Sequence, residues 1–337
     1  MGDVMKDQNQ QLPSVSFIIP TFQVASTLAA CLNSVFSQDY PSDRVEVIVV
    51  DGGSFDTTVQ IASDYDARIV PNPHRVEDGP NGGKAIGARY AAGEVLCFLD
   101  SDNVIQPSTW LRNMIRPLSE DPNVVVSSRL LRREDPAINR FCSFYAAMTP
   151  SGDLFIPFDR PFNRRIGKVH ECYYTYVTAS SPPCLANGSV IRKTVLEEVG
   201  GFDYDTEVMS RLTRKGLTLF AQSTSGGILH LYVPSLRAFL SKAIRRSKRF
   251  ITTTDRSPVS SLFFEHGGIG HMFFVVLSAL LPLKRVPVAI SKVRETHDAA
   301  WLYYPITGFL ATLVYLIVLL TSGRKGLAKI ANVERLG

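Results

Sequence analysis

The stretch Val95-Leu96-Cys97-Phe98-Leu99-Asp100-Ser101-Asp102 decides the fold class. A short apolar run closed by turn residues reads as a parallel strand buried on both faces. Carboxylates two residues apart at its C-terminal end sit where open α/β sheets take their ligands. Such crowded carboxylates repel each other unless a cation is present, and hard divalent ions take oxygen ligands. The local reading is a divalent ion that also holds phosphates. Alone, Asp-x-Asp reads first as a solvated turn after a strand, ahead of a metal site.

Two upstream segments displace that reading. Val15 to Ile19 reads as a first strand stopped by Pro20, and Val45 to Val50 as a second, ending at Asp51-Gly52-Gly53. Leu28, Cys31, Leu32, Val35 and Phe36 recur at helical spacing between them. Ser54 is placed to cap the next helix, which runs through Val59 and Ile61. Arg68 to Val70 is a short strand, and Gly82-Gly83 breaks the chain before a helix from about Lys84 to Ala92. This β-α-β-α-β alternation predicts a mostly parallel sheet flanked by helices, with right-handed crossovers.

Further along, Pro107 to Leu118 reads as a helix and Val124 to Leu130 as a strand. Residues from about 133 to 183 are rich in Pro, Phe, Tyr and Arg and yield no elements. Pattern returns with a strand at Ser189-Val190-Ile191, a helix over Lys193 to Val199, and another from about Thr206 to Lys215.

Three strand ends then converge: Pro20-Thr21, Asp51-Gly52-Gly53-Ser54-Phe55-Asp56, and Asp100-Ser101-Asp102. Gly52 and Gly53 let backbone approach a ligand closely. An acidic residue at a strand end accepts hydrogen bonds from a base or ribose. Lys84 and Arg89 lie in the intervening segment, with Lys84 read as opening a helix whose N-terminus favours anions. Together these predict a nucleoside-diphosphate site with a metal.

The chain has 337 residues and a formal net charge of +5. That is enough for one large α/β domain plus an appendage. A hydrophobic fraction of 45% hints at a membrane segment. The five cysteines Cys31, Cys97, Cys142, Cys172 and Cys184 show no metal-ligand or redox spacing, which suits a reducing compartment. Met1 to Pro13 is polar, without the apolar core of a cleavable signal peptide.

From Pro234 the composition changes. Leu236, Phe239, Leu240, Ala243, Ile244, Phe250 and Ile251 fall at helical spacing, interleaved with Arg237, Lys242, Arg245, Arg246, Lys248 and Arg249. Such a basic amphipathic helix suits an anionic membrane interface. The bland reading is a soluble helix with a solvated basic face, or a nucleic-acid patch. Leu302 to Thr321 has no charge and is long enough to cross a bilayer core. Trp301, Tyr303 and Tyr304 mark one end, and Arg324, Lys325 and Lys329 the other. Ile269 to Leu283 is a shorter apolar run, spanning, re-entrant or interfacial. The membrane reading makes a nucleic-acid partner unnecessary. The predicted organisation is a polar tail (1–13), a catalytic domain (14–233) and a membrane-associated region (234–337). The last holds a basic helix over 235–252, the apolar segment 269–283 and a transmembrane helix over 302–322.

Four ordered motifs resemble the family 2 glycosyltransferases: Ser16 to Phe22, Val49 to Thr58, Gly83 to Arg89, and Phe98 to Asp102. The resemblance covers about residues 14 to 232. It implies the GT-A fold and inverting, metal-dependent hexosyl transfer. It also implies roles. Pro20 lines the nucleotide pocket, Asp51 holds the base, and Asp56 supports that pocket. Lys84 and Arg89 contact the nucleotide or its phosphates. Asp100 sits near the ribose, and Asp102, with Asp100 beside it, ligates Mg²⁺ or Mn²⁺. Thr21, Gly52 and Ser101 complete the donor site. The family usually has Asn after the Arg, and here Tyr90 stands there. Gly200 to Glu207 with Arg211-Leu212 resembles the acceptor-side motif, with Tyr204 in place of the usual Glu. It implies Asp205 as general base, with Glu207 as rival. No Gln-x-x-Arg-Trp motif of processive synthases follows Asp205, which favours single-sugar transfer.

The sequence therefore predicts a membrane-attached glycosyltransferase of glycan, exopolysaccharide or cell-envelope synthesis, its catalytic domain cytoplasmic. Its donor is a nucleotide sugar, UDP-linked by expectation, and its acceptor a lipid-linked or other membrane-presented glycan. The alternatives are a silent GT-A scaffold and a nucleotidyltransferase. Intact Asp51, Asp100, Asp102 and Asp205 speak against the first, and Pro20-Thr21-Phe22-Gln23 in place of a Gly-rich basic loop against the second. His230 reads as a core or surface histidine ahead of a diphosphate-facing one.

Overall fold

The computed structural model describes residues 12–73, 75–128, 136–145, 165–178, 185–230, 232–252 and 281–322. The chain divides into two compact units. One comprises Met1–Arg132 and Asn163–His230, the other Arg133–Phe162 and Leu231–Gly337.

The first unit opens with β1 (Val15–Thr21), α1 (Ala25–Phe36), β2 (Val45–Asp51), α2 (Thr58–Asp64), β3 (Arg68–Pro71), α3 (Arg75–Tyr90) and β4 (Val95–Phe98). Then come β5 (Asn103–Gln106), α4 (Trp110–Glu120), β6 (Val126–Ser128), β7 (Arg165–Val169), β8 (Tyr173–Val177) and β9 (Ser189–Arg192). The unit ends with α5 (Lys193–Glu198), α6 (Asp205–Arg214), β10 (Leu219–Ser223) and β11 (Gly227–His230). Among the described residues, nine strands form one sheet in the order β3-β2-β1-β4-β9-β6-β10-β8-β7, and β5 pairs separately with β11.

The sheet is mixed rather than mostly parallel. β3, β2, β1 and β4 run parallel, as the alternation predicts. β9 then inserts antiparallel between β4 and β6, and the hairpin β7–β8 is antiparallel to β10. β9 arrives after a long excursion from β6, so no single crossover helix fixes its direction. Phe17, Ile18, Ile48, Leu96, Phe98, Ile191 and Phe220 are buried along these strands.

Pro20 does not stop β1, which continues to Thr21 in register with Asp51. Ile18 turns its backbone toward β4 and receives the Leu99 amide. Two residues on, Pro20 turns the same way, past the last β1–β4 pair at Phe98. A missing N–H costs no ladder bond there.

Gly82-Gly83 does not break the chain either, because α3 runs through both. A Cβ on Gly83 would sit 2.8 Å from Pro20 Cβ, and one on Gly87 2.4 Å from Ile18 Cγ2. These glycines let α3 lie close against β1. Ser54 caps no helix; α2 starts at Thr58, whose amide donates to Asp56 Oδ1 at 3.0 Å.

In the second unit, α7 (Leu236–Thr252) is the predicted basic helix, followed by α8 (Val286–Thr296) and α9 (Tyr303–Thr321). Ala299–Val318 is long and apolar enough to cross a membrane, by length and composition. Residues 269–280 of the shorter apolar run, and Arg324, Lys325 and Lys329, lie outside the described residues. Arg140 donates two 3.0 Å hydrogen bonds to Asp298, which caps the turn before α9. Asn139 Oδ1 accepts the Tyr232 and Val233 amides at 2.8 and 2.9 Å.

An alanine for glycine inside a helix ordinarily stabilises by up to about 1 kcal/mol. Against Ile18 the sign reverses: Gly87→Ala should destabilise by about 1–3 kcal/mol through overpacking. Urea unfolding measures it, and a gain in stability would refute the close α3–β1 contact.

Candidate active site

The parallel strands end together, so their C-terminal residues share one edge. Asp51 Oδ1 accepts the Thr21 and Ser54 hydroxyls at 3.0 and 2.6 Å. Its Oδ2 accepts the Gly53 and Ser54 amides at 2.9 and 2.8 Å. A carboxylate has about four lone-pair sites. All four are thus filled by the chain's own donors, and Asp51 pins the 52–54 loop. Gly53 takes a φ of +81°, which its lack of a Cβ permits.

The pinned loop holds Phe55 82% exposed and edge-on to Phe22, with ring centroids 6.4 Å apart. Asp56 Oδ2 accepts the Ala25 amide at 3.3 Å, tying the start of α1 to that of α2. The Thr58 hydroxyl, then the Thr58 and Ala25 amides, hold the Asp56 carboxyl below the usual carboxylate range.

Lys84 lies inside α3 rather than at its N-terminus, so the helix dipole does not make it an anion site. Its side chain is 4% exposed and its Nζ stands 2.9 Å from Asp100 Oδ1. A buried ammonium requires such a partner. Arg89 is exposed one residue before the end of α3, and its Nε donates to Ala85 O at 3.3 Å.

Asp102 is differently placed. Asn103 Nδ2 donates to its Oδ1 at 2.8 Å, and His230 Nε2 stands 3.6 Å from the same oxygen. The β5–β11 ladder produces this pair, because it sets His230 opposite Asn103. Sequence reading missed both strands and so read His230 as a core or surface histidine; it is buried, and paired with Asp102. The available signal was the short run Gly227 to His230 ending in a histidine. Beneath the carboxylates, Cys31 is buried, its thiol 3.8 Å from Asp100 O. Burial, then the charges of Asp102 and Asp100, push that thiol well up.

On the acceptor side, Phe202 packs on Phe98 at 4.5 Å, which brings the 200–207 segment to β4. Asp205 is the first residue of α6. Arg211 binds Asp203 Oδ2 and Gly201 O, both at 2.6 Å, and Arg214 lies 4.0 Å from Glu207.

Among the described residues no group of three or more His, Cys, Asp or Glu side chains gathers as a metal cage. Asp102 and His230 still fit a divalent ion. Their 3.6 Å spacing is one that two ligands each about 2.1 Å from one ion can adopt. Two protein ligands suit an ion whose remaining positions go to water and substrate phosphates.

Residues 16–179 match the family model described as glycosyl transferase family 2. This part of the chain belongs to glycosyltransferase family 2. The family 2 domain is 40% identical over 94 residues to glycosyltransferase AglE of Haloferax volcanii, covering 27% of this chain and 31% of AglE. It is 34% identical over 97 residues to the poly(ribitol-phosphate) β-N-acetylglucosaminyltransferase TarS of Staphylococcus aureus, covering 28% of this chain and 17% of TarS. The matched stretches thus span under a third of these relatives' lengths. In structure, the chain resembles the mannosyltransferase PcManGT from Pyrobaculum calidifontis, solved with GDP-mannose and Mn²⁺. The TM-score is 0.50 at 17% identity, covering 90% of this chain and 87% of that one, a likeness of fold. The fold is GT-A-like.

Two outcomes are expected of this geometry. Lys84→Met should lower the unfolding free energy by about 1–3 kcal/mol, the upper range for a broken buried pair being discounted for the 29% exposure of Asp100. Adding Asp100→Asn should recover part of that loss in a double-mutant cycle, and strict additivity would deny the pairing. Cys31 should resist iodoacetamide at pH 8.5 until denaturant is added, as mass spectrometry would read; ready alkylation of the native protein would contradict its burial.

Proposed function

We propose that the chain transfers one sugar, with inversion, from a nucleoside-diphosphate sugar to a membrane-presented glycan acceptor in glycan or cell-envelope synthesis. The observation that carries this is the division of labour among three strand-end carboxylates. Asp51 shapes a loop, Asp100 is neutralised by Lys84, and Asp102 stands beside His230.

In this reading Pro20, Thr21, Gly52 and the pinned loop shape the nucleotide pocket, and Phe22 and Phe55 offer aromatic faces to the base. Asp51 acts through the loop, and Asp56 holds that loop's far end. Asp100, with Ser101 beside it, faces the ribose, while Lys84 and Arg89 supply positive charge. Asp102 with His230 would hold Mg²⁺ or Mn²⁺. That ion, when bound, neutralises charge on the departing diphosphate. Asp205 takes the proton from the acceptor hydroxyl as it attacks the anomeric carbon. Glu207 is the rival, with Arg214 4.0 Å from it. UDP is the favoured donor nucleotide. The second unit attaches the chain to the membrane through α9, with the family 2 domain on the cytoplasmic side.

Calorimetry with UDP, GDP and CDP, with and without Mn²⁺, tests the donor site on the full chain. One nucleotide should bind in a metal-dependent manner, at least 10-fold weaker in Asp102→Asn and in His230→Ala. No nucleotide binding by a folded sample would defeat the reading. Asp205→Asn should lower turnover about 10²–10⁴-fold with nucleotide affinity unchanged. Full activity in that variant would remove Asp205 as the base.

A further inference from the structure

Charge is unevenly distributed along the chain. Residues 234–337 carry fifteen Lys and Arg against five Asp and Glu, whereas residues 1–233 carry twenty-one against twenty-six. The positive excess belongs entirely to the C-terminal stretch.

Within the second unit, α7 packs along α9. No acidic residue interrupts α7, and Arg237, Arg245 and Lys248 are exposed on it. Lys242 lies over the Tyr232 ring, its Nζ 3.7 Å from the centroid. The two helices therefore enter any membrane together. A charged residue at the centre of a bilayer costs several times what one Leu or Ile returns. Carrying these four cations into hydrocarbon outweighs the gain from α9.

The exposure pattern of α9 offers a cheaper arrangement. Ile306, Leu313, Ile317 and Leu320 are exposed and fall on one stripe, which Leu302 in the preceding turn extends, while Thr307 and Ala311 on the opposite side are buried. Arg285, 7% exposed, is packed on the helix: a Cβ at Gly308 would lie within 1.6 Å of its Nη1. One side of α9 is thus already occupied by protein, and the other presents an apolar strip. A pair with an apolar strip and a cationic helix has the character of an interfacial element, though α9 alone does not.

We propose that α7 and α9 lie together in the plane of an anionic leaflet, so that both ends of α9 remain on the side of the family 2 domain. This rests on the reading that the second unit attaches to membrane, and it changes the anchor from spanning to monotopic. Phosphate headgroups meet Arg237, Arg245 and Lys248, and acyl chains meet the strip.

The test uses the full chain reconstituted in sealed vesicles of phosphatidylcholine with about a third phosphatidylglycerol. Glu295→Cys, in the last turn of α8 ahead of α9, and Thr321→Cys, at the end of α9, bracket that helix, and Gln60→Cys, exposed on α2, marks the family 2 domain. An impermeant maleimide is added from one side or both, and labelling is read peptide by peptide by mass spectrometry. All three positions should label from the same side. Labelling of position 321 from the side opposite to positions 295 and 60 would overturn the in-plane arrangement while leaving membrane attachment intact. Replacing Arg237, Arg245 and Lys248 by Glu, or omitting the anionic lipid, should weaken vesicle binding at least 10-fold. Unchanged binding would overturn the electrostatic part. Absence of binding to any vesicle would overturn attachment itself, whatever the nucleotide calorimetry shows.

Discussion

The close approach of α3 to β1 governs the site. Gly83 against Pro20 and Gly87 against Ile18 leave no room for a side chain, so the helix axis is fixed relative to the strand. Lys84 follows directly after Gly83 and inherits that position. Its long stem delivers an ammonium into a place where water is nearly excluded, and Asp100 stands there to receive it. Packing, not local charge preference, decides where this cation sits. The apolar contacts of β1 and α3 are thus also electrostatic positioning devices.

Given that fixed cation, the carboxylates divide. Three aspartates gathered at one sheet edge would repel one another if all faced solvent alike. Asp51 escapes by spending its lone pairs on Thr21, Gly53 and Ser54. Asp100 escapes through Lys84. Asp102 has Asn103 and His230 beside one oxygen. The division follows from register, since Thr21, Asp51 and Pro71 lie level across β1, β2 and β3.

What the sequence made legible follows the same physics. β1, β2, β3 and β4 were readable because a parallel core strand is a continuous apolar run ending at a turn. Lys84 was misplaced because Gly82-Gly83 has the composition of a break, while its cause is a tertiary contact with β1. β7, Arg165 to Val169, escaped notice because an exposed edge strand has no apolar face to announce it, and β8, Tyr173 to Val177, because its buried positions are tyrosines and a threonine rather than an aliphatic run. β5 and β11 are four residues each and define each other only by pairing, so the Asp102–His230 contact had no local signature. The basic periodicity of α7 was plain, since a solvated cationic face needs no partner to be recognised.

The division of charge between chain segments bears on how such a protein works. A slightly acidic nucleotide-binding portion is repelled by anionic lipid, and a strongly basic C-terminal portion is attracted to it. The two forces act on different units, so electrostatics alone orients the molecule at a surface before any apolar group inserts. In the proposed arrangement, insertion of the α9 strip would add a term insensitive to salt, whereas the α7 term would fall as salt rises. Attachment with two such components is reversible when either is weakened alone.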